Sequence, residues 1–447
     1  MKHAAFPDGP TRHDLIAWFR RNRALTREVF AIPTASAYYD RPIALRNPIA
    51  FYEGHLPAFA VNTLIKSALH RPGINSAYEV LFARGIDPES EAAMGGNASS
   101  HWPTRPEILN YGQAADAMVE EALSSERLED DDVPQLRGGE SAITILEHEP
   151  MHQETLMYMF HQLPYEKKIR RLPFASPQEV PACDVHPRNE SVAIPAGVAT
   201  LGVERDSVFA WDNELPHQRV DVDAFSIDRH NVTNAEFMAF VEADGYADRA
   251  LWSEEGWEWV TEAGVRHPGF WTRRDGAWLW RGMFELIPLP ADWPVYVAHA
   301  EAEAYARWIG KRLPTEAEYH RAAFGTPDGS ERSFPWGEKL PGPNHGNFGF
   351  RQWEPVPIGS YPAGASAWGV HDLAGNGWEW TSTFFDGFPG FEPMPSYPVY
   401  SADFFDRRHF VMKGASPATA VELIRRSFRN WFRGNYPYVY ATFRCVE

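Results

Sequence analysis

A chain of 447 residues is too long for one ordinary core, so two domains are expected. Its net charge of −18, from 60 acidic and 42 basic residues, argues against a nucleic-acid partner, because phosphate binding needs basic patches. No apolar run approaches the roughly 18 residues of a membrane span, and the opening MKHAAFPDGPTRHDL lacks the apolar core of a signal peptide. Two cysteines, Cys183 and Cys445, are too few for a disulfide framework or a thiolate zinc site. Together these features predict a cytoplasmic protein with no membrane partner.

In chain order, residues 11–31 predict a helix, with Thr11 as N-cap and Leu15, Ile16, Phe19 and Leu25 at helical spacing. Residues 47–70 predict a second helix, opened by Pro48, and 112–125 and 139–163 a third and a fourth. Residues 71–106, with scattered Gly, Pro and Ser, read as one long loop carrying Arg105, a minor candidate for contact with the donor substrate. Four amphipathic helices within residues 1–165 predict a helical bundle. The charged, Pro-containing stretch 166–190 reads as a linker. From residue 191 onward short strands and turns are expected, in an irregular, aromatic-rich domain; aromatic residues make up 14% of the whole chain. The fold class is therefore α+β in two domains.

The stretch HEPMHQETLMYM holds His148 and His152 four residues apart, on one helix face, where two imidazoles can reach one divalent metal. It also reads as the H-E-x-x-H of zinc proteases. Pro150 argues against that reading, since proline inside a helix forfeits a hydrogen bond at a cost of about 3 kcal/mol, and no third ligand follows at a suitable spacing. A third ligand from another helix is available in His55, inside FYEGHLPAF. Three neutral imidazoles with open positions suit Fe(II), Zn or Cu. Glu154 lies about 200° around the helix from His152 and is expected in an inter-helix hydrogen bond rather than on the metal. Asn376 and Glu379, in GNGWEW, are weaker candidates for a structural Ca2+ site.

These motifs resemble known families. Residues 10–165 resemble a DinB-like bundle with the signature H-x-x-x-H-x-E (His148, His152, Glu154), and NPIAFYEGHLPAF resembles the segment bearing its first iron histidine. Residues 191–447 resemble the formylglycine-generating-enzyme-like, C-type-lectin-like fold through RLPTEAEYHRAA, HDLAGNGWEWTSTFF and RRSFRNW. The two in this order resemble the non-haem iron sulfoxide synthases of ergothioneine biosynthesis and their cousins, the selenoneine synthases.

The resemblance implies Fe(II) on His55, His148 and His152, O2 as co-substrate, and hercynine, a trimethylammonium betaine, as substrate. It implies that Asn430 and Trp431 hold the betaine, aromatic faces being the natural partners of a quaternary ammonium. It also implies a tyrosine acting as proton and electron donor during O2 reduction, here Tyr397 of the pair Tyr397 and Tyr400, with Tyr400 lining the pocket. Two departures bear on the reaction. KGASPATAVELIRRSF lacks the cysteine pair of formylglycine-generating enzymes, which excludes that activity. Phe432 and Tyr436 stand where γ-glutamylcysteine-using relatives carry Asp and Arg, and Met151 replaces a Gln seen in many of them. An aromatic wall in place of a charged clamp favours a selenosugar donor over γ-glutamylcysteine, with cysteine open and Arg433 able to recover one carboxylate contact. Rival readings from other classes are a metal- or carbohydrate-binding module without redox chemistry, and a thiol-dependent zinc transferase.

Overall fold

The computed structural model describes residues 1–83, 102–171 and 190–447. Cys183 and nearly all of the linker stretch lie outside these residues, as do residues 84–101 of the expected long loop. The chain divides into two compact units, Met1–Leu172 with Met394–Pro398, and Pro173–Pro393 with Val399–Glu447.

The first unit is helical. Helix α1 (Arg12–Val29) starts at Thr11, whose hydroxyl accepts from the Asp14 N–H while Asp14 accepts from the Thr11 N–H, a reciprocal cap. Helix α2 (Ile49–Ala60) is buried along every residue, as a helix apolar on nearly all sides requires; its two polar interruptions are Glu53 and His55. It runs into a π-helical stretch, Val61–Ala68, so the helix expected over 47–70 is present with a wider last segment. A short α3 (Ser76–Leu81) breaks the expected loop. Helix α4 (Arg105–Ser125) begins seven residues before the expected start, because Thr104 and Glu107 form a capping box ahead of the apolar periodicity. Helix α5 (Glu140–His161) packs on α1 and α2, which also meet α4, closing the bundle.

Helix α5 continues through Pro150, contrary to the expectation that proline would disturb it. Proline has no N–H for the carbonyl of Leu146, one turn earlier. That carbonyl instead accepts from the Nδ2 of buried Asn22 on α1, at 2.8 Å. Asn22 and its neighbours form a polar lattice: Gln153 Nε2 donates to the Asn22 carbonyl and to Thr26, while Glu149 takes Arg23 and Thr26.

The second unit is built of small sheets around aromatic side chains. Strands β1 (Ser191–Ile194) and β4 (Phe225–Asp228) pair antiparallel, as do β2 (Gly197–Leu201) and β3 (Gln218–Val222). After helices α6 (Asn234–Glu242) and α7 (Glu254–Glu262) comes a three-stranded meander, β5 (Trp271–Arg274), β6 (Ala277–Arg281) and β7 (Leu286–Pro288). Helices α8 (His299–Trp308) and α9 (Glu316–Phe324) follow. The largest sheet has the order β10–β9–β8–β11, from β8 (Gly377–Phe384), β9 (His409–Ala415), β10 (Asn430–Arg433) and β11 (Ala441–Thr442). Trp211, Trp271, Trp280 and Trp380 are fully buried, which accounts for the aromatic enrichment.

Asn376 and Glu379 are committed to this packing. Both Glu379 oxygens accept from Arg444, and Asn376 Oδ1 accepts from Asn347 and the Val356 N–H. Neither is left to hold a cation, so the Ca2+ expectation has no support here.

Candidate metal centre

Helix α2 carries His55 and helix α5 carries His148 and His152, and their packing brings three imidazoles to one point. His55 Nε2 lies 3.3 Å from His152 Nε2, which lies 3.1 Å from His148 Nε2. A metal–nitrogen bond of about 2.1 Å separates neighbouring nitrogens by about 3.0 Å at right angles and about 3.4 Å at tetrahedral angles. Both spacings from His152 fall between, and all three ligand atoms lie within 4.8 Å of one another, so the cluster could hold a metal ion. These are the ligand-type side chains that converge among the described residues.

Local structure fixes two of the rings. His55 Nδ1 lies 2.7 Å from the Phe82 carbonyl; donating there keeps the proton on Nδ1 and leaves the Nε2 lone pair facing the cluster. His148 lies flat on Phe59, with ring centres 3.5 Å apart and planes 9° apart. Burial keeps the set neutral: His55 is pushed down to about 4, with the Phe82 carbonyl opposing, while burial and neighbouring imidazoles hold His148 well below its ordinary value. His152 is likewise lowered, by burial and then by His55 and Arg46. Three neutral donors of intermediate softness suit a divalent first-row metal. Glu149, which the zinc-protease reading needs as base, faces the other way into Arg23. Glu154 is buried on α5 and outside the cluster.

The first unit also contains Tyr397. Its ring meets Phe59 edge-on at 5.0 Å and His148 edge-on at 6.1 Å, so the tyrosine packs against both the ligand ring and the phenyl ring stacked on it. Phe59 was not singled out from sequence, although its position four residues after His55 on an apolar helix was the available signal. Met151 lies half-buried between the two α5 histidines.

Arg105 takes no place at the cluster. It clamps Glu53 of α2 through two hydrogen bonds, at 3.0 and 2.9 Å, and donates to the Phe30 carbonyl. A substrate contact, expected while Arg105 was read as part of a loop, gives way to a helix-start residue paired to a carboxylate.

The second unit groups the remaining expected residues. Trp431 stacks on Phe385, 4.1 Å apart and 6° from parallel, with Tyr400 edge-on at 5.2 Å. Asn430 Oδ1 accepts from the Trp431 N–H, leaving its amide NH2 available. Phe432 and Tyr436 stack at 5.2 Å, and Arg433 lies beside them on β10.

The sequence comparisons agree with this architecture. Residues 176–447 match the sulfatase-modifying factor enzyme 1-like domain, and residues 19–156 match the DinB superfamily. A hercynine oxygenase of Mycobacterium tuberculosis is 38% identical over 306 residues, covering 68% of this chain and 69% of that protein. One of Mycolicibacterium thermoresistibile is 40% identical over 294 residues, 64% of each chain. Ergothioneine biosynthesis protein 1 of Neurospora crassa is 28% identical over 499 residues, covering 91% of this chain and 54% of that protein. The chain thus spans about two thirds of these bacterial relatives and about half of the fungal one. The chain belongs to the sulfatase-modifying factor enzyme 1-like family and carries a DinB-superfamily region ahead of that domain.

Proposed function

We propose that this protein is an iron(II)- and O2-dependent oxidoreductase of the cytoplasm that joins the imidazole C2 of hercynine to a chalcogen donor. The observation that carries this reading is the convergence of three neutral imidazole nitrogens, with the Tyr397 ring edge-on to that of His148. The names of the relatives support hercynine as substrate. Iron on His55, His148 and His152 would supply O2 activation. The chain's own residues do the rest: the Phe82 carbonyl holds the proton on His55 Nδ1, Tyr397 provides a proton at its hydroxyl, and the burial of His55 and His148 favours their neutral form. Trp431 offers a ring to the trimethylammonium and Asn430 an amide N–H to the carboxylate. Hercynine, a selenol or thiol, and O2 give the chalcogen oxide and one water. Of the four electrons O2 accepts, two come from forming the carbon–chalcogen bond and two from oxidising the chalcogen.

For the donor, Phe432 and Tyr436, which carry no charge where a charged pair would be expected, support a selenosugar, which needs neutral hydrogen bonds rather than fixed counter-charges. A zwitterionic donor facing an aromatic wall lacks a charged partner worth about 2–5 kcal/mol, or roughly 30-fold and more in preference. The sulfur reading, with cysteine or γ-glutamylcysteine, is supported by the names of the relatives. Competition decides: equal selenosugar, cysteine and γ-glutamylcysteine are offered with hercynine to the anaerobically iron-loaded protein, O2 is admitted, and products are separated by mass. Preferential use of γ-glutamylcysteine would refute the selenosugar assignment, and no hercynine-derived product from any donor would refute the function.

A further inference from the structure

Tyr397 is remote in sequence from the histidines, in the stretch Met394–Pro398 that belongs to the first unit. In that stretch Pro395 and Pro398 have no N–H, so beyond Met394 the amides of Ser396 and Tyr397 are its backbone donors. The Tyr397 N–H bonds back to the Met394 carbonyl at 3.3 Å. The Ser396 N–H donates to Glu140 Oε1 at 2.8 Å, and the buried Ser396 hydroxyl lies 3.0 Å from the Thr144 hydroxyl. Glu140, Thr144 and His148 are spaced by four on α5, so they occupy successive turns of one helix face. The face that carries a metal-site histidine therefore also carries, one and two turns earlier, the partners of the residue preceding Tyr397. Thr144 is fully buried and Ser396 nearly so, where a hydroxyl left unpartnered is costly. Phe59 packs against both the tyrosine ring and His148, and those two rings also meet edge-on.

We infer that Glu140, Thr144 and Ser396 form a clamp that sets the position of Tyr397 relative to the metal cluster, making them positioning residues for the proton donor. The inference rests on the role given to Tyr397 above. A positioning clamp differs from ordinary packing in its consequence: loosening it should leave metal binding intact and impair the step that uses the tyrosine.

The test uses the full iron-loaded chain and the variants Thr144→Val, which keeps the side-chain volume, Glu140→Ala and Thr144→Ser. Hydrogen exchange of the peptide spanning 394–400, read by mass spectrometry, should quicken roughly tenfold for each bond lost in Thr144→Val and Glu140→Ala. Thr144→Ser, which retains the hydroxyl, should restore protection. Iron per chain should match wild type, while the hercynine-derived product falls about tenfold and oxidation of the donor alone persists, the pattern of Tyr397→Phe. Unchanged exchange in Thr144→Val and Glu140→Ala would overturn the clamp, as would a loosened segment with undiminished product. A wild-type protein that leaves hercynine untouched would overturn the proposed function instead; the exchange measurement would still decide the clamp.

Discussion

Pro150 and Asn22 make a quantitative prediction. The Leu146 carbonyl is buried in the helix that carries two of the histidines, and its partner is the Asn22 amide at 2.8 Å. Asn22→Ala removes that donor, and a buried acceptor left unsatisfied costs about 1–3 kcal/mol. In a Pro150→Ala background, residue 150 regains an N–H one turn from Leu146 and can close the helical bond itself. There Asn22→Ala should cost only lost packing, so the two substitutions should couple by about 1–2 kcal/mol. The assay is equilibrium urea unfolding at 222 nm for wild type, both single variants and the double, with the coupling energy taken from the cycle. The sign of Pro150→Ala alone does not matter, since the cycle cancels it. A coupling within about 0.4 kcal/mol of zero, the level at which independent sites add, would refute the claim that Asn22 substitutes for the missing proline N–H.

His55→Ala should sharply lower iron per chain and abolish turnover; full iron retention by metal analysis would refute the three-histidine site. Phe59→Leu removes the ring that holds His148 flat and should weaken iron about tenfold, as loss of a ligand-orienting contact does, measured by titration against a chelator. Tyr397→Phe should retain iron and hercynine binding but lose most carbon–chalcogen product, whereas a crippled Tyr400→Phe beside an unaffected Tyr397→Phe would reverse their roles. Glu301, buried against Tyr246 and the Ala298 N–H, is raised by burial from 4.5 to about 7. Glu301 therefore takes up a proton on folding between those values, and its own contribution to stability should fall as pH rises from 4.5 to 7, by at most about 3 kcal/mol. Because the buried histidines act in the opposite direction over the same interval, the readout is the difference in unfolding free energy between wild type and Glu301→Gln, which should shrink from pH 4.5 to 7.

The bundle was legible because its signals are local: Thr11 announces a cap, and His148 and His152 announce a shared face. Pro150 misled because the residue that relieves it, Asn22, lies 124 positions away from Leu146. Arg105 was misplaced for a related reason. A capping box of Thr104 and Glu107 starts its helix before any apolar period begins, and Glu53, its partner, lies on another element. The association of Tyr397 with the histidine helix had no signature in MPSYP, since hydrogen bonds from Ser396 to Glu140 and Thr144 span about 250 residues. His55 needed both levels: its residue type was visible, while its convergence with the pair depends on how α2 packs against α5.

The stretch Met394–Pro398 also bears on how separable the two family modules are. The DinB match ends at residue 156 and the following domain match begins at 176, which invites cutting the chain between them. The first unit does not end there, because it includes five residues from the far side of that cut. A gene fragment encoding the bundle alone would carry all three histidines yet lack Tyr397, and would leave the Thr144 hydroxyl and one side of Phe59 bare. Swapping bundles between relatives faces the same constraint. A chimera that inherits the histidine helix from one parent and the MPSYP stretch from another must match Glu140 and Thr144 to Ser396, so the heritable unit of function is longer than either module.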